Sequence, residues 1–109
     1  MKITYISSSV PRKCGIATYT RDLSEDVAKK HTPISIVAME NPHLPQDYTK
    51  PVEGIIRQEK LSDYKKLALK INNDSSDIVH LQHEFGLFGG NDGEYILTFA
   101  EKIKKPIVV

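Results

Sequence analysis

The stretch that decides the fold is Ile3-Thr4-Tyr5-Ile6, followed after a short connection by Pro11-Arg12-Lys13-Cys14-Gly15-Ile16-Ala17-Thr18-Tyr19-Thr20. The first four residues predict a buried strand. Residues 15–30 predict a helix with apolar residues at spacings of three, four and four, namely Ile16, Tyr19, Leu23 and Val27. The start of such a helix carries unpaired N–H groups and the positive end of the helix dipole. A strand, a basic glycine-bearing turn and a helix start together predict an anion site of phosphate type.

The remaining chain keeps alternating between strand and helix patterns. It predicts strands at residues 34–38, 52–57, 78–81 and 107–109, and helices at residues 61–73 and 93–104. The second helix is expected to stop in a left-handed conformation at Asn72-Asn73, and the third to start with Asn91 or Asp92 as its N-cap. Residues 39–50, which contain two prolines, are predicted to form an extended loop. The alternation predicts one Rossmann-like α/β domain with a parallel sheet in the order 3-2-1-4-5.

Composition excludes several classes of protein. The chain of 109 residues has 15 Lys and Arg against 14 Asp and Glu, a net charge of +1. Such a balance disfavours the basic surface that nucleic-acid-binding proteins use, so no nucleic-acid partner is expected. The absence of a long apolar run predicts no transmembrane segment and a cytoplasmic location. Cys14 is the only cysteine, which excludes an internal disulfide and a cysteine cluster for zinc.

The last residues, Pro106-Ile107-Val108-Val109, resemble the start of a buried parallel strand. Residues 1–109 are therefore expected to be a single, incomplete, N-terminal domain of a larger enzyme. The alternative is a complete small domain whose last strand lies at the edge of the sheet.

A second informative segment spans residues 77–95. Its apolar strand is expected to bring Gln82, His83 and Glu84 to the carboxyl end of the sheet, where open α/β sheets bind their ligands. A glycine-rich loop over residues 86–90 then leads to the third helix. Two strand-to-helix connections thus converge on one rim of the predicted sheet.

These residues resemble the N-terminal half of the retaining glycosyltransferases of family 4. The likeness covers residues 11–23, 77–90 and 95–109, and the middle of the chain matches only in its order of elements. The strings Cys-Gly-Ile-Ala and Gln-His-Glu-Phe-Gly are its most specific parts. The resemblance implies a GT-B fold, in which two Rossmann-like domains face a cleft. It also implies transfer of a sugar from a nucleotide-sugar donor to a carbohydrate or lipid-linked acceptor, with retained anomeric configuration and no cofactor.

The resemblance also implies roles for individual residues. The first domain mainly holds the acceptor, while the turn around Gly15 contacts the donor diphosphate. His83 matches the histidine near the transferred sugar and is the implied catalytic residue. The nucleotide itself belongs to a C-terminal domain that these residues do not include, so this part alone is expected to be inactive. The implied substrate-binding residues are Arg12, Lys13, Gly15, Ile16, Glu84 and Gly86.

Each of these residues also has a structural interpretation that the sequence leaves open. Gly15 could serve only the close packing of helix on strand. The basic pair Arg12 and Lys13 could be ordinary solvated charges. His83 could hydrogen-bond loop carbonyls, and Glu84 could accept N–H groups of the glycine-rich loop.

A metal site is not expected at His80, His83 and Glu84. Strand residues three apart point to opposite faces, so His80 shares a face with Gln82 rather than with His83. His80 is therefore interpreted as structural. Cys14 is interpreted as a small buried thiol rather than a nucleophile, since no base is evident for it.

The rival function is a non-catalytic Rossmann-like module that binds a nucleotide or a phosphorylated ligand. Its fingerprint combines Gly-x-Gly-x-x-Gly after the first strand with an acidic residue at the end of the second. The first turn has Gly15 alone, and Glu40 lies beyond the predicted end of the second strand at Ala38. The sequence therefore disfavours a dinucleotide-dependent oxidoreductase. A regulatory or interaction fragment is a third class, but it gives no reason for the glycine-rich loops.

Overall fold

The computed structural model describes residues 1–9, 15–30, 32–82 and 87–109. Within them the chain forms a five-stranded, all-parallel sheet in the order β3-β2-β1-β4-β5. This confirms the predicted Rossmann-like α/β fold and its strand order. None of the helices in these ranges is long and apolar enough to cross a bilayer. The elements are β1 (Ile3–Ser7), α1 (Gly15–Lys29), β2 (Ile34–Glu40), β3 (Val52–Arg57), α2 (Leu61–Asn72), β4 (Ile78–Leu81), a 3-10 turn (Asn91–Gly93), α3 (Tyr95–Lys102) and β5 (Ile107–Val108).

The main hydrophobic core lies between the sheet and the pair of helices α2 and α3. Helix α1 packs on the opposite face of the sheet. Ser7 follows Ile6 along β1 and therefore points to the other face, where it hydrogen-bonds Thr20 of α1. The larger core therefore lies beneath β3, β2, β1 and β4, including the two strands that carry the candidate site. Its buried members include Ile6, Val37, Val79, Tyr64, Ile71 and Phe99.

The buried side of α1 differs from the predicted apolar face. The helix buries the small residues Ala17, Thr20 and Ser24 against the sheet. Of the predicted face, Tyr19 is 57% exposed and the other three residues are only partly buried. The hydroxyls of Ser7 and Thr20, both fully buried, lie 2.8 Å apart. Small side chains and this hydrogen bond bring the helix backbone close to β1, and hydrophobic periodicity cannot detect such packing.

The predicted left-handed stop after α2 is wrong. The helix ends at Asn72, and Asn73 has φ −102° and ψ 1°. Instead, the side-chain amides of Asn72 and Asn73 hydrogen-bond backbone groups at the ends of the helices. Asn73 Nδ2 donates to the Leu69 carbonyl at 2.9 Å, and Asn72 bonds the Lys102 carbonyl and the Lys104 N–H, each at 2.8 Å. Asn72 thereby fastens the end of α2 to the end of α3.

The start of the third helix also differs from the prediction. Neither Asn91 nor Asp92 is the N-cap of α3, because both lie in the preceding 3-10 turn. Glu94 takes the N-cap position without a side-chain cap. Asp92 and Gly93 have φ values of 52° and 76°, which an α-helix cannot accommodate. The α-helix therefore starts at Tyr95 rather than at Gly93.

Strand β2 is two residues longer than predicted. Met39 and Glu40 pair with Ile56 and Arg57 of β3, so the connecting loop begins after Glu40. The sequence prediction that no acidic residue ends the second strand is therefore wrong. Pairing with β3 extends the strand past Ala38, which local pattern alone could not show.

Arg57 and Asp63 join the end of β3 to the first turn of α2. The Asp63 carboxylate accepts from Arg57 Nε at 2.7 Å, from Nη2 at 2.9 Å and from the Arg57 backbone N–H at 3.0 Å. The Asp63 side chain is 6% exposed, whereas that of Arg57 is 49% exposed. The hydrogen bonds from Arg57 lower the pKa of Asp63, despite the opposing effect of burial.

We expect this carboxylate to contribute to stability above the ordinary aspartate pKa of about 3.9 and to lose that contribution as pH falls through its lower folded pKa. In Asp63→Asn, the loss of a charge-assisted bidentate pair should cost on the order of 2 kcal/mol at neutral pH. Urea unfolding at pH 7 and at pH 3 measures both effects. The destabilisation should shrink at the lower pH. An equal loss at the two pH values would contradict the role assigned to the charge.

Candidate functional site

The candidate site lies at the carboxyl ends of β1 and β4, the two adjacent central strands. Ile6 of β1 is in register with Leu81 of β4, and the Gln82 N–H donates to the Ile6 carbonyl at 3.0 Å. Strand order reverses here, since β2 follows β1 on one side while β4 lies on the other. Open parallel sheets bind ligands at such a point. The strands that precede the two motif-bearing segments are thus neighbours, and their carboxyl ends lie at the same edge of the sheet.

The chain leaves β1 through three buried serines. Ser7 and Ser8 are fully buried, and Ser9 is 3% exposed. Ser7 bonds Thr20 of α1, so a hydroxyl pair lies beneath the first turns of the helix. This packing fixes the start of α1 beside the end of β1.

Gly15 and Ile16, two of the predicted substrate-binding residues, form the first turn of α1. Gly15 is exposed, and a Cβ atom at this position would meet no described atom within 4 Å. Among the described residues, none packs closely on Gly15, so these residues give the close-packing interpretation no support. The first turn carries no acidic side chain. Its N–H end is thus electrostatically suited to an anion.

The other predicted site residues fall outside the described ranges. Arg12 and Lys13 precede α1, and His83, Glu84 and Gly86 follow β4 in sequence; Cys14 lies outside as well. Their assigned roles remain predictions.

The glycine-rich loop is fastened to the β3–α2 connection. The Tyr64 hydroxyl donates to the Gln58 carbonyl at 2.7 Å and accepts from the Gly89 N–H at 2.9 Å. The Gly90 N–H donates to Glu59 Oε2 at 3.3 Å. A Cβ atom on Gly89 would overlap the Gln58 carbonyl oxygen, so the two backbones approach too closely for any other residue. Gly89 is required by packing.

The Tyr64 hydroxyl is well suited to this bridging role. Burial is the main cause that raises the pKa of Tyr64 to about 12, so the hydroxyl keeps its proton at neutral pH and can donate. The ring also makes an edge contact with Tyr95, at a centroid distance of 5.7 Å. In the sequence, Tyr64 shares helical spacing with Leu61, Leu67, Ala68 and Ile71, a pattern that predicts only an apolar helix face. A phenol on a buried helix face, which needs a hydrogen-bond partner, was the available signal for this role.

His80 points to the same face of the sheet as Gln82, as predicted. Gln82 Nε2 and His80 Nε2 are 3.3 Å apart, and the His80 ring lies 5.2 Å from the fully buried ring of Tyr5. These contacts support a structural interpretation of His80. Among the described residues, no group of three His, Cys, Asp or Glu side chains could hold a metal ion.

The chain matches no protein-family model, no curated protein and no solved structure. Arguments about function therefore depend on the sequence motifs and on the geometry of the rim.

Proposed function

We propose that this chain is the acceptor-side domain of a retaining glycosyltransferase. One observation carries the proposal: β1 and β4 are adjacent and parallel, with Ile6 opposite Leu81. The two segments that resemble family 4 glycosyltransferases both follow these strands in sequence. The exposed first turn of α1 supports a contact with the donor diphosphate there. This arrangement supports the roles that the resemblance gives to the two motifs.

In this proposal the domain binds and orients, and His83 acts at the transferred sugar. A neutral imidazole there would donate to a sugar hydroxyl, and a protonated one would oppose the diphosphate charge. Arg12 and Lys13 would face the diphosphate with the N–H groups at Gly15 and Ile16. Glu84 and the backbone at Gly86 would contact substrate hydroxyls. A second Rossmann-like domain would hold the nucleotide.

Glu40 favours a second candidate, a module that binds a nucleotide without chemistry. An acidic residue at the end of the second strand binds the ribose in dinucleotide-binding folds, and Glu40 ends β2. However, Glu40 is paired with Arg57 across the strands, and its charge contributes to raising the Arg57 pKa, after the larger effects of Asp63. The first turn also lacks the three-glycine pattern. The transferase is thus the better-supported candidate.

One experiment separates the candidates. The gene product that contains these residues is incubated with a panel of nucleotide-sugars and acceptors, and NMR identifies the anomeric configuration of any product. Transfer with retention, absent from residues 1–109 alone, supports the transferase. Calorimetric titration of residues 1–109 with nucleoside diphosphates provides the second arm. Tight binding of a nucleoside diphosphate that is lost in Glu40→Gln, together with no transfer by the gene product, would favour the non-catalytic module over the transferase.

A further inference from the structure

A groove runs along α1 on the side of the outer strands β2 and β3. The chain between these strands, residues 41–51, forms no helix, so no helix within the described ranges covers β3 on the α1 face. Ile55 on this face is consequently 39% exposed. Two adjoining cavities of about 510 and 60 Å³ make up the groove, and they share Ser24, Glu25 and Pro51 in their walls. The larger volume lies within the range of small-molecule sites.

The two ends of the groove differ in chemistry. The larger cavity is lined mainly by apolar surface, from Ala28 of α1 and from Pro33, Ile34 and Pro51, and its walls also include Ser24, Glu25 and Thr32. The smaller cavity is lined by Arg21 and Lys50, together with the hydroxyl-bearing residues Ser9 and Thr49. Ser9 is 3% exposed, so this end includes a buried polar residue. The groove therefore combines a larger, mainly apolar section with a smaller section that adds two cations, Arg21 and Lys50, to the hydroxyls of Ser9, Ser24 and Thr49 and to the apolar residues Ile36 and Val52.

The charges around the groove favour an anion at the polar end. The Nε of Arg21 lies 3.3 Å from the carboxylate of its neighbour Asp22, but both side chains are about half exposed or more, at 46% and 64%. Such a surface pair is weak and yields to a better-placed anion. Glu25 lines both cavities, so its carboxylate disfavours an anion in the section that they share.

We propose that this groove binds an anionic amphiphile, with its alkyl chain in the larger cavity and its phosphate or carboxylate headgroup at Arg21 and Lys50. A free anion would leave the mainly apolar section unfilled, and a neutral lipid would make no use of the charges of Arg21 and Lys50. The site lies on the α1 face of β2 and β3, with Ser9 at the exit of β1 in the wall of its polar end, and the inference does not depend on the proposed function.

Decyl phosphate below its micelle-forming concentration is the probe, with inorganic phosphate, decanoate and decyl glucoside as comparisons. Binding to residues 1–109 is followed by amide NMR shifts. We expect decyl phosphate to shift the amides of Ser24, Ala28 and Ile34, and inorganic phosphate to bind at least about tenfold more weakly, since one tenfold step corresponds to about 1.4 kcal/mol of lost apolar contact. If decanoate binds as tightly as decyl phosphate, the groove accepts carboxylate lipids as well. If decanoate does not bind, the groove is specific for phosphate lipids.

Charge variants test the orientation of the ligand. Replacing both cations, as Arg21→Gln with Lys50→Gln, should weaken decyl phosphate binding by about tenfold or more, whereas Glu25→Gln should strengthen it. Lys65→Gln with Lys66→Gln removes the same two positive charges from exposed positions of α2, across the sheet from the groove, and should change nothing. Shifts that map elsewhere, equally tight binding of decyl glucoside, or full binding by the double variant would overturn the proposal.

Discussion

Gly89→Ala is expected to destabilise the domain by about 3 kcal/mol or more, because an added methyl group would overlap the Gln58 carbonyl oxygen. Backbone atoms cannot rotate away as a flexible side chain can. The loop would have to lift from the β3–α2 connection and lose the 2.9 Å hydrogen bond from the Gly89 N–H to Tyr64. Urea unfolding followed by circular dichroism measures the change.

Gly15→Ala is the matched control for this prediction. The same methyl group at Gly15 meets no described atom within 4 Å, so stability should change by no more than about 0.5 kcal/mol. Gly93→Ala should fall between the two, since its φ of 76° strains an alanine by about 1 kcal/mol while its nearest described neighbours are at 3.6 Å. If Gly89→Ala unfolds at the same urea concentration as Gly15→Ala, the close approach to Gln58 is not required.

His83→Ala is expected to lower the transfer rate of the gene product by about a hundredfold or more while leaving the fold intact, as removal of one preorganised donor does elsewhere. The prediction depends on the proposed function and on the match of His83 to the cleft histidine of family 4. Initial rates with saturating donor and acceptor measure the loss. The melting temperature of the same preparation shows whether folding is affected.

His80→Ala is the matched control, because it removes an imidazole from the same segment. It should lower the melting temperature and keep most of the turnover, since His80 contacts Tyr5 and Gln82. A folded His83→Ala protein with full activity would make His83 a structural residue. A His80→Ala protein that melts normally but has lost its activity would reverse the two assignments.

The sequence by itself determined the class of fold and the order of the strands. Alternation of strand and helix patterns, combined with the right-handed rule for crossovers and the strand order common in Rossmann-like folds, predicted the order 3-2-1-4-5 that the structure has. It also placed two motif-bearing segments after strands that prove to be neighbours. These features follow from the order of the elements along the chain and from the spacing of apolar residues, both of which can be read from a single sequence.

Only the tertiary structure decided the features that depend on contacts between residues far apart in sequence. The buried side of α1 is set by the Ser7–Thr20 hydroxyl pair, and the length of β2 by pairing of Glu40 with Arg57. The requirement for Gly89 comes from Gln58, a residue on another connection. Local sequence patterns carry no information on such pairs, because the free energy of each contact depends on which distant segment lies beside the residue in the folded chain. The groove beside α1 likewise brings together residues of α1, β2 and the β2–β3 connection, which contains no helix.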